Sequence, residues 1–204
     1  MIRHRGVTPT VDPTAYIAPT ATLVGDVRIG PRARVMYGAV LDAEGSTVEV
    51  GEACVVSENA VLRATAVGSR PHPVVLGDHV FVGPHATVLG ATLERCCYLA
   101  TFATILHGAR LGAGAVLAVG ALAHANAVIA SEAFIPPMTI AVGDPARVLT
   151  PDRLDDVASA IRETNFAGTA FGVEHAWDDR ITRYVAMTEV RVEEYGAHEA
   201  DEEV

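Results

Sequence analysis

From Leu93 onward every sixth position is aliphatic or small: Leu93, Leu99, Ile105, Leu111, Leu117, Ala123, Ile129 and Ile135. Two positions before each next member of that series lies a second restricted site, filled by Cys97, Ala103, Ala109, Ala115, Ala121, Ala127, Ala133 and Thr139. Both sites must face a cramped interior. A period of six predicts a parallel β-helix, whose coils stack because no single coil can bury its apolar side alone. Upstream, Ile17, Leu23, Ile29, Val35 and Leu41 keep the period, an insertion over Asp42–Thr47 interrupts it, and Val50, Val56 and Leu62 resume it. The stretch Gly68-Ser69-Arg70-Pro71-His72-Pro73 has no periodic residue and two prolines, which predicts a loop thrown outward from the coil. The frame returns at Leu76, Val82 and Val88 and shortens by one residue before Leu93. Gly25, Gly30, Gly51, Gly77, Gly83 and Gly112 fall where tight corners need residues without a side chain.

The repeat ends near Ile140, and the chain then leaves the tube through Ala141–Leu149. Pro151 is expected to open a helix with Leu154, Val157, Ala158 and Ile161 on one face. Residues 167–172 read as flexible, Trp177, Ile181 and Val185 suggest a second amphipathic helix, and the acidic stretch from Glu193 to Glu203 is expected to fray. The division that follows is a β-helix domain over residues 1–148 and a helical extension with an acidic tail over 149–204.

Half of the residues are apolar but only 5% are aromatic, the balance expected of a narrow tube filled by branched aliphatic side chains and alanine. The formal net charge of −10 weighs against nucleic acid or an anionic membrane as a partner. No apolar run is long enough to span a bilayer and no basic-then-apolar leader is visible, so the cytoplasm is the expected location. Three cysteines, Cys54, Cys96 and Cys97, form neither a disulfide framework nor a paired metal motif. Cys54 and Cys97 sit where alanine otherwise fills the small interior site, and are expected to be structural.

Over about residues 10 to 165 the chain resembles the γ-class carbonic anhydrases and their relatives among left-handed β-helix proteins. The resemblance is carried by the insertion after Leu41, by Val61-Leu62-Arg63-Ala64, by the proline-bearing loop and by Val82-Gly83-Pro84-His85-Ala86-Thr87-Val88-Leu89-Gly90. The closing Gly143-Asp144-Pro145-Ala146-Arg147-Val148 is shared with hexapeptide acyltransferases and does not separate the two groups. The resemblance implies a left-handed coil, a homotrimer with its functional cleft between neighbouring tubes, and a C-terminal helix laid along the outside.

It also implies three zinc-binding histidines, at positions that here read Arg63, Pro84 and Leu89. Arginine, proline and leucine offer zinc no suitable lone pair, so no metal and no cofactor is expected. The family's arginine and aspartate before the insertion are replaced by Asp42 and Glu44, and its glutamine in the next segment by Ser57. Without a metal nothing lowers the pKa of a water from about 15.7 to about 7, and the catalytic assignment is not carried over. Arg63, Asp42, Glu44, Ser57, Glu58, Pro84, His85 and Leu89 remain as a candidate interface cleft. Arg63 would either pair with a carboxylate as glue for the trimer or receive a small anionic ligand through its planar fork. Three histidines are secondary candidates. His72 could act as a base on an exposed loop, and His107 and His124, a coil apart, could share a metal at about 5 Å strand spacing or form a solvated or interface column. His85 could reach the position of Pro84 only by a one-residue slip that would expel Ala86 and Val88 from the core. The expected function is a scaffold or small-anion site without carbonic anhydrase activity. The alternatives are an acyltransferase using acyl-coenzyme A, or an anhydrase that keeps activity through a non-standard metal site.

Overall fold

The computed structural model describes residues 1–68, 70–174 and 176–204. The chain is a parallel β-helix, left-handed as the resemblance implied, with three sheets running its length. The six-residue period and the strand register are one fact seen twice. On the first sheet Leu23, Leu41, Leu62, Val88, Ile105, Ala123 and Ala141 lie in register from strand to strand. On the second the column is Val11, Ile29, Val50, Leu76, Leu93, Leu111 and Ile129. On the third it is Ile17, Val35, Val56, Val82, Leu99, Leu117 and Ile135. Nearly all of these side chains are buried, and the small sites Cys97, Ala103, Ala109, Ala115, Ala121 and Ala127 are buried between them. Full burial of an aliphatic side chain is worth roughly 1.5–3 kcal/mol, and each coil obtains it only from the coils above and below.

The corner glycines serve close approach more than unusual torsions. A Cβ on Gly83 would stand 2.6 Å from the carbonyl oxygen of Leu99, and one on Gly112 would stand 2.5 Å from the backbone nitrogen of Ser131. Gly25 alone of the six has a positive φ, +73°.

Both ends of the first sheet are closed by antiparallel strands. Arg147–Leu149 folds back on Ile140–Val142, and Glu202–Glu203 pairs with Ile2–Arg3, so the parallel coil's first and last strands are each paired and the sheet ends in short antiparallel strands.

The insertions at Asp42–Thr47 and after Arg63, and the shortened step at Gly90, all fall at one corner of the prism, between the first and second sheets. Three helices follow the coil: α1 (Leu154–Glu163), α2 (Phe166–Phe171) and α3 (Arg180–Tyr195). Segments α2 and α3 lie along that same corner, through contacts of Thr169 with His72 and Asn126 and of Arg191 with Thr65.

Several expectations for this part of the chain are corrected. Residues 167–171 lie within α2, which the Asn165 side chain caps and Gly172 ends, with Gly168, Thr169 and Ala170 buried. The proline-bearing loop leaves the coil, with Arg70 and Pro71 exposed, but it lies against α2, where a Cβ on Gly68 would stand 2.5 Å from the Thr169 carbonyl oxygen. Thr65 and His72 bridge through paired backbone hydrogen bonds of 3.1 and 2.8 Å and the loop doubles back, with Ser69 outside the described residues. In α1 the burial falls on Ala160, with Val157 and Ile161 half-buried, whereas Leu154 and Ala158 are exposed. In α3 the apolar residues Ile181 and Val185 are 82% and 55% exposed, and the buried residues are Arg183 and Glu194. The helix turns its polar side inward because the corner it covers is itself polar. The acidic tail is docked, through a 3₁₀ turn over Gly196–Ala200 and the closing strand.

Candidate functional site

Glu44 is the centre of the polar corner. It stands in the first insertion with φ +38°, and its carboxylate is 0% exposed. A buried carboxylate must be compensated, and four cationic or imidazole groups converge on this one. Oε1 accepts from Arg5 Nη2 at 3.0 Å and lies 3.7 Å from His4 Nε2. Oε2 accepts from His198 Nε2 at 2.8 Å and from Arg63 Nη2 at 3.3 Å. The donors come from three distant parts of the chain: its first residues, the coil and the tail.

Asp201 closes the arrangement from the far side. One of its oxygens accepts from His4 Nδ1 at 2.6 Å and the other from His198 Nδ1 at 2.9 Å. The two rings are stacked 4.4 Å apart, 24° from parallel. Burial opposes charge on His198, but its hydrogen bonds to Asp201 and Glu44 outweigh it and hold the imidazole above its ordinary pKa. Burial likewise works to raise Asp201, and the bonds from His198 and His4 carry it below the usual carboxylate range.

Arg63 is committed within the chain. Its guanidinium lies over the Tyr195 ring at 4.2 Å, Nη1 donates to the Tyr195 hydroxyl, and Nε is 3.6 Å from Asp42 Oδ2. Desolvation, together with the like charge of Glu44, raises Asp42 despite Arg63 beside it. Of the eight residues expected in the cleft, Asp42, Glu44 and Arg63 are in mutual contact, and Leu89 stands in register beside Arg63 on the next strand. Ser57, Glu58, Pro84 and His85 are elsewhere, at the corner between the third and first sheets. His85 does not slip inward. It is exposed, stacked on Phe102 at 5.2 Å, while Ala86 and Val88 fill the core.

The secondary histidines form a different cluster, and the expectations of an exposed loop base and a solvated column do not hold. His72 is 3% exposed and its Nε2 donates to the Thr169 carbonyl at 3.2 Å, so burial, with Arg70 nearby, depresses its pKa. His107 and His124 are also buried beneath α2, each packed on Phe166 with ring centroids about 6 Å away. Burial pushes His124 down and His107 down to about 3. These are neutral imidazoles under a helix, and among the described residues they do not gather with a third ligand.

His4, Arg5, Tyr195, His198 and Asp201 escaped the sequence reading. They carry no motif spacing, and the tail that brings three of them back was expected to fray.

The zinc of the resembled family does not fit the positions the resemblance assigns to it. Arg63 and Leu89 are in register as neighbouring ligands would be, but neither these residues nor Pro84 presents a donor.

No family model matches the chain. It is 31% identical over 165 residues to gamma carbonic anhydrase 1, mitochondrial, of Arabidopsis thaliana, covering 79% of this chain and 58% of that one. It is 27% identical over 154 residues to a carbonic anhydrase of Geobacillus kaustophilus, covering 76% and 79%. The chain spans about half the length of the plant relatives it matches. Among solved structures, a hexapeptide transferase family protein from Anaplasma phagocytophilum superimposes with a TM-score of 0.46 at 21% identity, covering 93% of this chain and 95% of that one. The sequence matches to γ-class anhydrases, taken with the coil's strand-by-strand register, place this chain in the γ-class carbonic anhydrase-like family of hexapeptide-repeat proteins.

Proposed function

We propose that this protein is a homotrimeric scaffold of γ-carbonic anhydrase type that lacks the zinc triad and has no carbonic anhydrase activity. The observation that carries the reading is the engagement of Arg63, which binds Glu44, Asp42 and Tyr195 of its own chain where zinc-binding relatives would present an imidazole. An arginine so placed stabilises a buried carboxylate and leaves no donor set for a metal-bound hydroxide at the positions the family uses. An apolar ladder on the outer side of the third sheet supports the trimer. Phe81, Tyr98, Val116 and Phe134 are in register there, with Phe81 and Tyr98 stacked at 5.0 Å and Phe102 and Met138 exposed nearby.

The test is stopped-flow hydration of carbon dioxide by the zinc-incubated protein, with its mass in solution measured by light scattering. No rate above buffer and a mass of three chains are expected. Hydration at an enzymatic rate, or a monomer, would overturn the reading. The small-anion alternative has one point in its favour, since Arg63 Nε has no hydrogen-bond partner among the described residues. A thermal shift with phosphate or a small carboxylate, lost in Arg63→Ala, would favour it. A shift with acetyl-coenzyme A would favour the acyltransferase.

A further inference from the structure

We propose that His4, Glu44 and His198 form a binding site for one divalent transition metal of the zinc type, which pins the C-terminal tail to the first coils. The ligand atoms of these three residues all lie within 4.8 Å of one another. None of the three is Arg63, Pro84 or Leu89, so the ligand set differs from the family's, although Arg63 Nη2 lies 3.3 Å from Glu44 Oε2 on the flank of the site. Two imidazole nitrogens and one carboxylate oxygen are a donor set that zinc accepts, with a fourth place left for water.

Asp201 supplies the support such a site needs. A metal-binding histidine commonly donates its other ring N–H to a carboxylate, which fixes the tautomer and aims the free nitrogen. Here one carboxylate does this for both rings, at 2.6 and 2.9 Å from the two Nδ1 atoms, and both Nε2 atoms are turned to Glu44. His4 and Glu44 are buried and the His198 side chain is 31% exposed, which leaves an approach from the tail side. The charges permit an incoming dication. Glu44 and Asp201 are both acidic, and Arg5, which now donates to both Glu44 and His4 Nε2, is 44% exposed at its side chain, so it can turn into water as a metal takes its place while Arg63 stays on Glu44 Oε2. The effect of loading is a staple between residues far apart in sequence, which raises stability by mass action.

The experiment uses the full chain, stripped with a chelator. It is titrated with Co²⁺ while visible absorption is followed, then challenged with Zn²⁺, and retained zinc is counted after buffer exchange. About one zinc per chain, displacing cobalt, is expected from this donor set. His4→Ala and His198→Ala should abolish retention, Asp201→Asn should weaken affinity by about 10- to 100-fold, and His124→Ala should leave it unchanged. Absence of stoichiometric binding by the unmodified chain would overturn the proposal whatever the variants do. Retention in both His4→Ala and His198→Ala would overturn it by placing the metal elsewhere. The inference is independent of the scaffold reading, because hydration activity decides that one and metal retention decides this one.

Discussion

Replacing His107 with phenylalanine should change how stability depends on pH more than it changes stability itself. His107 is buried under α2 against Phe166 and His72, and its pKa is held down to about 3. In the unfolded chain the same imidazole titrates near 6.5. Between those values the unfolded state binds a proton that the folded state refuses, so stability is intact above about pH 6.5 and falls as the pH drops through the window towards 3. From pH 7 to pH 5 one such histidine costs about 2 kcal/mol, a figure insensitive to the folded pKa as long as it lies well below 5. A second physical reason supports the low value: Nδ1 of His107 has no hydrogen-bond partner among the described residues, so a proton placed there would be a buried donor without an acceptor. Urea unfolding of both proteins at pH 7, 6 and 5 measures the difference. Other titrating groups are common to both and cancel, as does any constant packing cost of the larger ring. The unmodified protein should lose about 2 kcal/mol more than His107→Phe between pH 7 and 5. Equal losses would show that His107 is protonated in the folded state and refute the burial argument.

Core substitutions should behave as in a close-packed tube. Ile105→Ala is expected to cost about 2–5 kcal/mol and Ala103→Leu about 1–3 kcal/mol by overpacking, both read from denaturant midpoints. Gly83→Ala should destabilise although its backbone torsions are unexceptional, because the added methyl meets the Leu99 carbonyl oxygen; unchanged thermal stability would contradict the close approach. Arg63→Ala removes one of the groups that compensate Glu44 and is expected to cost about 1–3 kcal/mol, read by thermal melting; an unchanged melting temperature would refute it. Deleting residues 197–204 should lower the melting temperature and expose the amide of Arg3 to hydrogen exchange, because the tail strand pairs on that side while Ile2 faces the next coil strand.

The coil was legible because its period is strictly local. Each hexad places one aliphatic and one small residue inward, and stacking requires the same of the next hexad, so Leu93 through Ile135 announce both the fold and its core without reference to anything distant. Once the resemblance assigns zinc positions to Arg63, Pro84 and Leu89, residue chemistry says that they offer zinc no donor. What the sequence could not reveal was the covering of one corner. Residues 167–172 looked flexible because glycine and alanine carry no periodic signal, yet α2 forms there over His72, His107 and His124, and an expected solvated column becomes a buried one. The apolar spacing of Ile181 and Val185 pointed to a buried face, but the corner that α3 meets is lined by Thr65, Glu44 and Arg63, and a polar surface selects Arg191, Glu194 and Tyr195 instead. The tail was expected to fray from its acidity, whereas its Asp201 meets His4 and His198. Local repetition determines the tube, since each coil sees only its neighbours. Only the tertiary structure decides the polar corner, because its charges at residues 4, 44, 63 and 201 find one another across nearly the whole chain and have no spacing by which to be recognised.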